Sequence, residues 1–318
     1  MKKQITIPGY PGNKLLSVIA LVCLVLSITT TVHADLCMWE IQGGHDKAYL
    51  LGSIHLMPEE VYPLDSTLEG AFDESDVLVV ELDATTLDQN VINNFIALNA
   101  IYQDSTNLQS RLDEALFDSL VTDFAELGLN EQQLNMFKPW FVSLNLGMGA
   151  LQKIDIETGL GIDMHFLNQA HEKEMKIIEL EEATSQLEAI SSMDEDTQID
   201  FLEYAVDEFD NAGENFNEML VAWQEGDTEK LNSISKEKIL GMKEEMPGMK
   251  DYYDKMFTQR EEEMTKEIIE LVENEEAHTY FIIVGAFHLV GDDGLIVRLQ
   301  DKGYTLKQLE TEGSDEKK

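Results

Sequence analysis

The sequence predicts an α+β fold: a central mixed β-sheet formed by strand-loop-helix units at the N- and C-terminal ends, with a large helical region between them. Three observations carry this. β-rich apolar runs cluster toward the two ends of the 318-residue chain. In the middle, apolar residues recur at spacings of three and four, as on one face of a helix. Two runs far apart also stop at the same pattern: Ala48–Leu51 enters Gly52-Ser53-Ile54-His55, and Tyr280–Val284 enters Gly285-Ala286-Phe287-His288. Glycine after a buried run reads as a strand emptying into a tight turn, and α/β proteins keep reactive groups beyond the carboxyl ends of strands. G-x-x-H is short enough to arise by chance, and a single histidine after a strand is commonly a packing residue. Two copies, each at a strand exit, point to one shared cleft.

The first strand spans Met38–Gln42, a polar turn follows at Gly43–Asp46, and the second strand spans Ala48–Leu51. His45, at the turn tip, reads as solvated. A helix over Ser66–Phe72 leads to a strand at Val77–Leu82; its apolar residues Val77 to Val80 are consecutive, the mark of a strand covered on both faces. From about Asp88 to Glu276 the chain reads as helical, with stripes such as Phe117, Leu120, Val121 and Phe124, or Phe201, Leu202, Ala205 and Phe209. One short strand, Met175–Leu180, interrupts it, after a helix that begins near Gly159–Asp163 and is fed by a loop at Glu157–Gly161. The acidic stretch of about 185–249 reads as a helical cap or insertion, with a helix break at Gly241–Pro247. A helix over Tyr252–Asn274, a strand at Thr279–Val284, a loop at Gly285–Gly294 and a helix at Leu295–Lys302 follow. Gly303 as a helix cap and a strand at Tyr304–Leu309 complete a domain of residues 35–310, and 311–318 reads as a disordered tail.

Residues 1–34 read as a secretory signal: Lys2 and Lys3, an apolar core over Leu15–Ile28, and a small-residue cleavage site at Val32-His33-Ala34. That core is short for a spanning helix, which needs about 20 residues. No stable membrane span is expected after cleavage, and the exported domain would be periplasmic or secreted. Only Cys37 then remains, so no internal disulfide can form. The chain has 62 acidic and 22 basic side chains and a net charge of −40, which becomes about −43 once Lys2, Lys3 and Lys14 leave. Such a surface repels nucleic acid and anionic lipid, and its simplest reading is salt-adapted solvation. No D-x-D-x-D-G loop supports an EF-hand.

Among the carboxylates Glu81 stands out. It interrupts the run Val79-Val80-Glu81-Leu82, where a charge costs burial free energy unless it is paired or metal-bound. Asp83 reads as a cap of the following segment, and Asp163 lies near a helix start, where the dipole alone favours it. Glu179, Glu181 and Glu182 surround the strand at Ile177. Arg260, one of three arginines, opens Arg260-Glu261-Glu262-Glu263. Surface pairing with those neighbours competes there with binding of a substrate oxygen or carboxylate. His165 and His171 are six residues apart and fall on different helix faces; His278 reads as solvated.

The stretches Leu50–His55, Val79–Asp83, Gly161–Asp163 with the elements leading to Leu180-Glu181, Arg260 with its helix, and Phe281–Gly291 followed by Gly303-Tyr304 resemble the TraB/GumN family, in family order over almost the whole mature chain. That family includes pheromone-shutdown proteins of enterococci and the animal Tiki proteases. The resemblance implies a fold shared with erythromycin-esterase-like and ChaN-like proteins, with the G-x-x-H residues in one cleft. It also implies that His55, Glu81 and His288 occupy signature positions, with Asp163 and Arg260 as neighbours. Many relatives carry Arg-Asn where this chain has Arg260-Glu261, and membrane-bound relatives have extra spans not found here.

The expected activity is metal-dependent hydrolysis of a peptide or small protein segment outside the cytoplasm. His55, His288, Glu81 and Asp163 would hold a divalent transition metal (Mn, Co, Fe or Zn) that activates a water. Glu81 would be ligand or general base, and Arg260 would hold a peptide carboxylate or a developing oxyanion. Two alternatives stand beside it. One is a metal-free, esterase-like hydrolase with histidine as general base; the other is a non-catalytic protein that sequesters a peptide or other ligand.

Overall fold

A computed structural model describes residues 34–128, 130–153, 161–274 and 277–312. The expected leader up to residue 33, all of the expected loop before Gly161, and residues 313–318 of the expected tail lie outside the described residues.

The fold is α+β. Six strands form one mixed sheet in the order β4-β3-β5-β2-β1-β6. They are β1 (Asp35–Gln42), β2 (Lys47–Ser53), β3 (Val77–Val80), β4 (Lys176–Glu179), β5 (Thr279–Gly285) and β6 (Thr305–Glu310). β1 and β2 form an antiparallel hairpin whose turn uses Gly43 at φ +112°, a conformation open to glycine. β6 adds to β1 antiparallel. β5 lies between β2 and β3, parallel to both, and β4 is parallel to β3. Four parallel strands therefore end at one edge of the sheet, and both G-x-x-H motifs leave from it. In the β2–β5 ladder Gly52 faces Val284 and Ser53 faces Gly285, so the two motifs emerge side by side, one residue out of step.

Strands buried on both faces require cover on both. β3 is buried along its length, as its run of consecutive apolar residues predicted. Phe281 of β5 packs against Phe72 and Phe166, with ring centroids 5.5 and 4.9 Å away, which seats the helices Ser66–Asp73 and Ile162–Glu172 over the sheet. The neighbouring Tyr280 and Ile282 point to the opposite face and are equally buried. The stretch 185–249 is helical and its residues are divided among several cores. Phe216, Ala222, Trp223 and Leu231 belong to the core of the sheet, whereas Leu202 and Phe209 pack with Leu108, Phe117 and Leu120. Trp223 Nε1 donates to the Gly52 carbonyl at 2.6 Å, tying this region to the first motif.

The helix expected over Tyr252–Asn274 is instead three segments: Met249–Tyr253, a π-helical turn at Asp254–Thr258, and Gln259–Val272. The wide turn shifts the side-chain register ahead of Arg260, and Phe257 from it packs 5.5 Å from the His288 ring. β3 stops at Val80, not Leu82, yet Leu180 N–H still donates to Val80 O and Glu181 N–H to Glu81 O, both at 2.9 Å, so the chains stay paired as they leave the sheet. Beyond β6, Thr311 N–H bonds Ala34 O at 2.9 Å, and Glu312 N–H bonds Thr67 Oγ1 at 3.2 Å. Thr311 thus continues the β1–β6 pairing, and Glu312 ties the chain to the helix Ser66–Asp73.

Gly52 has no space for a side chain: a Cβ there would lie 2.7 Å from Cys37 Sγ, 2.8 Å from Leu289 Cδ1 and 3.0 Å from Ala286 Cα. Gly52→Ala is expected to cost about 1–3 kcal/mol through overpacking, lowering the thermal midpoint by roughly 2–4 °C per kcal/mol. Thermal and urea unfolding check this, and an unchanged midpoint would show that β2 and the second motif are not pressed together.

Candidate functional site

The parallel edge carries three groups of polar side chains, each of which explains how a charged or titratable residue tolerates its position. Glu81 leaves β3 and is 7% exposed. Its Oε1 accepts the Gly285 N–H at 2.6 Å, and its Oε2 accepts Arg260 Nη2 at 2.8 Å and Gln186 Nε2 at 3.0 Å. Arg260 also grips Glu181, with Nε 2.6 Å from Oε1 and Nη2 2.8 Å from Oε2, and Nη1 donates to the Met256 carbonyl at 3.1 Å. Four of the five guanidinium N–H groups are thereby engaged. Burial works against the guanidinium charge, but the Glu181 and Glu81 carboxylates outweigh it and hold Arg260 above its ordinary value.

The surface pair with neighbouring glutamates that the local sequence favoured for Arg260 does not form. Arg260 and Glu261 share the inward face of their helix with Met264, Thr265, Ile268 and Val272. That periodicity was present in the sequence and would have exposed both as buried.

His288 closes the second motif. It sits in the short helical turn Ala286–Leu289, which replaces the first part of the expected loop, and is 5% exposed. Its Nδ1 stands 3.1 Å from Glu261 Oε1, and burial pushes its pKa down to about 4, so the ring is neutral near pH 7. Glu261 is wholly buried and 2.7 Å from Lys236 Nζ, itself 1% exposed. Burial raises the Glu261 pKa to about 7 against the pull of Lys236. Lys236, in what reads as a surface helix, has no such signal in its local sequence.

His55, two residues beyond β2, differs: 62% of its side chain meets solvent, and Nδ1 lies 3.2 Å from Asp163 Oδ2. The Asp163 hydrogen bond outweighs desolvation and raises the His55 pKa to about 9. Asp163 comes from the first turn of Ile162–Glu172, and its Oδ1 is buried without a hydrogen-bond partner. Gly161 lets that helix start abut the first motif, since a Cβ there would fall 2.3 Å from the His55 carbonyl oxygen. The charges of Glu81 and Arg260 act on His55 and on His288.

A Cβ on Gly285 would lie 3.3 Å from Glu81 Oε1 and 3.6 Å from His288 Cδ2, so the bare glycine lets carboxylate and ring approach. Among the described residues, no group of three or more His, Cys, Asp or Glu side chains converges as a metal-holding cluster.

The remaining candidates lie elsewhere. Asp83 Oδ1 accepts the Thr85 N–H at 3.0 Å, a turn-capping bond, and Oδ2 pairs with His171 at 2.8 Å. His165 pairs with Glu69 at 2.7 Å, and His45, mostly exposed, lies 3.5 Å from Glu273. An open recess of about 520 Å³ flanks Glu181, lined by Asp83, Asp88, Glu179, Glu182 and Glu267 among others.

Two expectations follow. Arg260→Ala leaves Glu81 and Glu181 buried without their cation and is expected to cost about 3–5 kcal/mol; a loss under about 1 kcal/mol in urea unfolding would mean the pair is not a structural tie. His55 has a folded value above its ordinary 6.5. Its pairing therefore stabilises the fold fully below about pH 6.5 and is lost as pH rises through about 9. In chelator-treated protein the unfolding midpoint should fall between pH 7 and 9, and Asp163→Asn should flatten that slope; the contribution is modest because solvent screens the pair. An undiminished slope in the variant would rule out this origin.

Comparison with known proteins identifies relatives by sequence. Two curated relatives, both described as uncharacterized protein YbaP, from Shigella flexneri and from Escherichia coli strain K12, are each 28% identical over 144 residues, 45% of this chain and 52% of theirs. The aligned part thus spans about half the length of these relatives. No solved structure matches significantly. The TraB/PrgY/gumN family model matches residues 37–308, from β1 to β6 and through both histidine motifs, and the chain belongs to that family.

Proposed function

We propose that the protein is an exported, metal-dependent hydrolase of peptides. The observation that carries this reading is the common orientation of two imidazoles at the edge of adjacent parallel strands. His55 and His288 each turn Nδ1 toward a carboxylate, Asp163 and Glu261, at 3.2 and 3.1 Å, which leaves both Nε2 atoms for another partner. Ligating histidines are oriented in this way by the groups behind them. Burial keeps His288 neutral, as a ligand must be, whereas His55, whose pKa is raised to about 9, would have to give up its Nε2 proton to an incoming ion; Gly285 leaves Glu81 Oε1 room beside His288.

Imidazole and carboxylate donors suit a borderline divalent ion such as Mn, Co, Fe or Zn, and His55, His288 and Glu81 would be the residues to hold it. Asp163, its Oδ2 already bonded to His55, then serves to orient that ring. Such an ion, when bound, supplies Lewis acidity toward a water and a carbonyl. The chain's own residues supply the rest. Arg260 fixes the Glu81 carboxylate and is too fully engaged to clamp a substrate carboxylate as well. The Gly285 N–H fixes the other Glu81 oxygen. The acidic recess beside Glu181 would draw peptides with cationic side chains and repel acidic ones.

A metal-free hydrolase is the second reading. It is favoured by the lack of a converged cluster among the described residues and by the exposed His55–Asp163 pair, which resembles a base with its orienting carboxylate.

The test is elemental analysis of residues 35–318, purified without a histidine tag, followed by cleavage of basic and acidic peptide sets. Roughly one or two transition-metal ions per chain are expected, lost in His55→Ala and His288→Ala but kept in His171→Ala, with basic peptides cut faster. Absence of metal after incubation with Mn, Co and Zn, with histidine-dependent turnover retained, would overturn the metal reading for the metal-free one. Binding without turnover would overturn both.

A further inference from the structure

Ser53, the second residue of the first motif, ends β2 with a buried hydroxyl: the residue is 4% exposed, and Oγ has no hydrogen-bond partner. A hydroxyl taken from water without a partner costs free energy, and alanine would fill nearly the same space without that cost. Among the described residues five buried side-chain atoms lack a partner, and three of them are Ser53 Oγ, Asp163 Oδ1 beside His55 and Glu261 Oε2 beside His288. Ser53 Oγ alone of the five can donate, since the other four are carboxylate or amide oxygens.

The strand register shows where that hydroxyl points. Ser53 is level with Gly285 in the parallel β2–β5 ladder. Residues level with one another on neighbouring strands, about 4.8 Å apart, project to the same face. A Cβ on Gly285 would meet Glu81 Oε1 at 3.3 Å and His288 Cδ2 at 3.6 Å. The Ser53 side chain therefore rises one strand spacing from the bare glycine, on the face where carboxylate and imidazole approach it. Because β5 lies between β3 and β2, the Glu81 carboxylate reaches Gly285 from one side and Ser53 flanks it on the other. The neighbouring donors are already spent. Arg260 is held by Glu81, Glu181 and the Met256 carbonyl, and Gln186 by Glu81 and Glu181. The Gly285 N–H serves Glu81, and Trp223 Nε1 serves the Gly52 carbonyl.

We propose that Ser53 is a catalytic residue of the hydrolase, its Oγ–H donating to the carbonyl oxygen of the scissile bond and to the oxyanion formed as water adds. The proposal rests on the hydrolase reading, in its metal-dependent or its metal-free form, and assigns the group that binds the reacting carbonyl. As the oxygen of water bonds to the carbonyl carbon, the C=O π pair moves onto the carbonyl oxygen. A fixed donor aimed at that oxygen stabilises the developing charge. The carbonyl re-forms as the amine leaves with a proton taken from the added water, and the serine keeps its own proton throughout. The Glu81 carboxylate cannot take this part, because it would repel an oxyanion. The Ser53 hydroxyl has no bond within the protein to give up, and its bond to the carbonyl oxygen strengthens as charge develops there. A nucleophilic serine is bonded to its base, whereas Ser53 Oγ bonds neither histidine.

The protein and its Ser53→Ala variant are compared in peptide cleavage, metal content and thermal unfolding. In the variant kcat should fall by about 10²–10³-fold, with KM within about threefold because the lost bond counts mainly in the transition state. Metal content should be equal. The unfolding midpoint should be no lower than that of the unsubstituted protein, since the hydroxyl is bonded to nothing in the folded chain. Ser53→Cys, with a weak S–H donor, should fall between the two in kcat. An unchanged kcat overturns the proposal. A lowered midpoint or a failure to fold overturns it by making Ser53 structural, and loss of metal does so by placing the hydroxyl at the ion. Stoichiometric labelling of Ser53 by a fluorophosphonate would make it a nucleophile instead. Each of these results leaves the hydrolase reading standing, because that reading is judged by turnover in the unsubstituted protein. Absence of turnover there fails the reading, and this proposal with it.

Discussion

The parallel ladder between β2 and β5 is the constraint on which the polar edge of the sheet depends. It joins strands from opposite ends of the chain, and its register sets Gly52 against Val284 and Ser53 against Gly285. Because β3 and β4 run parallel to β5, Glu81 and Glu181 leave the sheet at the same edge as both histidines. Reversal of any one of these strands would send its polar residue to the far side of the sheet. The glycines follow from the same constraint: Gly52 has no room for a side chain against the turn that carries His288, and Gly285 lets the Glu81 carboxylate reach a backbone N–H.

Taking charges out of water is costly, and this edge offsets the cost by pairing. Glu81, Glu181 and Arg260 form one group, Glu261, Lys236 and Asp293 another, and the helix Gln259–Val272 supplies a member to each through two consecutive residues. The π-helical turn before that helix allows Met256 to accept from Arg260 while Phe257 covers His288 and Lys236. The two ion groups therefore share one rigid support. The two histidines end in opposite electrostatic states: the one beside a partly exposed aspartate is held protonated to about pH 9, and the one deep in the core is held neutral down to about pH 4.

Much of this was legible in the sequence because strand and helix periodicity are local. The strands, the G-x-x-H echo and the unusual Glu81 in an apolar run could all be read from a few neighbouring residues. Arg260 was visible as a rare arginine, but its partners lie far away in sequence, on β3 and after β4, so nearby glutamates were the only pairing that local reasoning could offer. Lys236 sits among charged residues of a short helix, and nothing in that stretch distinguishes a buried lysine from an exposed one. The π-turn was invisible because its residues fit helical spacing on either side. Asp163 was read correctly as a residue of a helix start, whereas its bond to His55 depends on Gly161 letting two distant segments touch.

The sheet order also has a kinetic consequence. β1 and β2 can pair as soon as they are made, since a tight turn links them, but β2 waits for β5 and β1 waits for β6, both from the end of the chain. Contacts of such long range carry a large loop-closure cost and slow folding. During synthesis the hairpin therefore has two open edges that can pair with other chains. The parallel edge is likewise incomplete until the last strands arrive, so no partly made chain carries the two histidine motifs on paired strands.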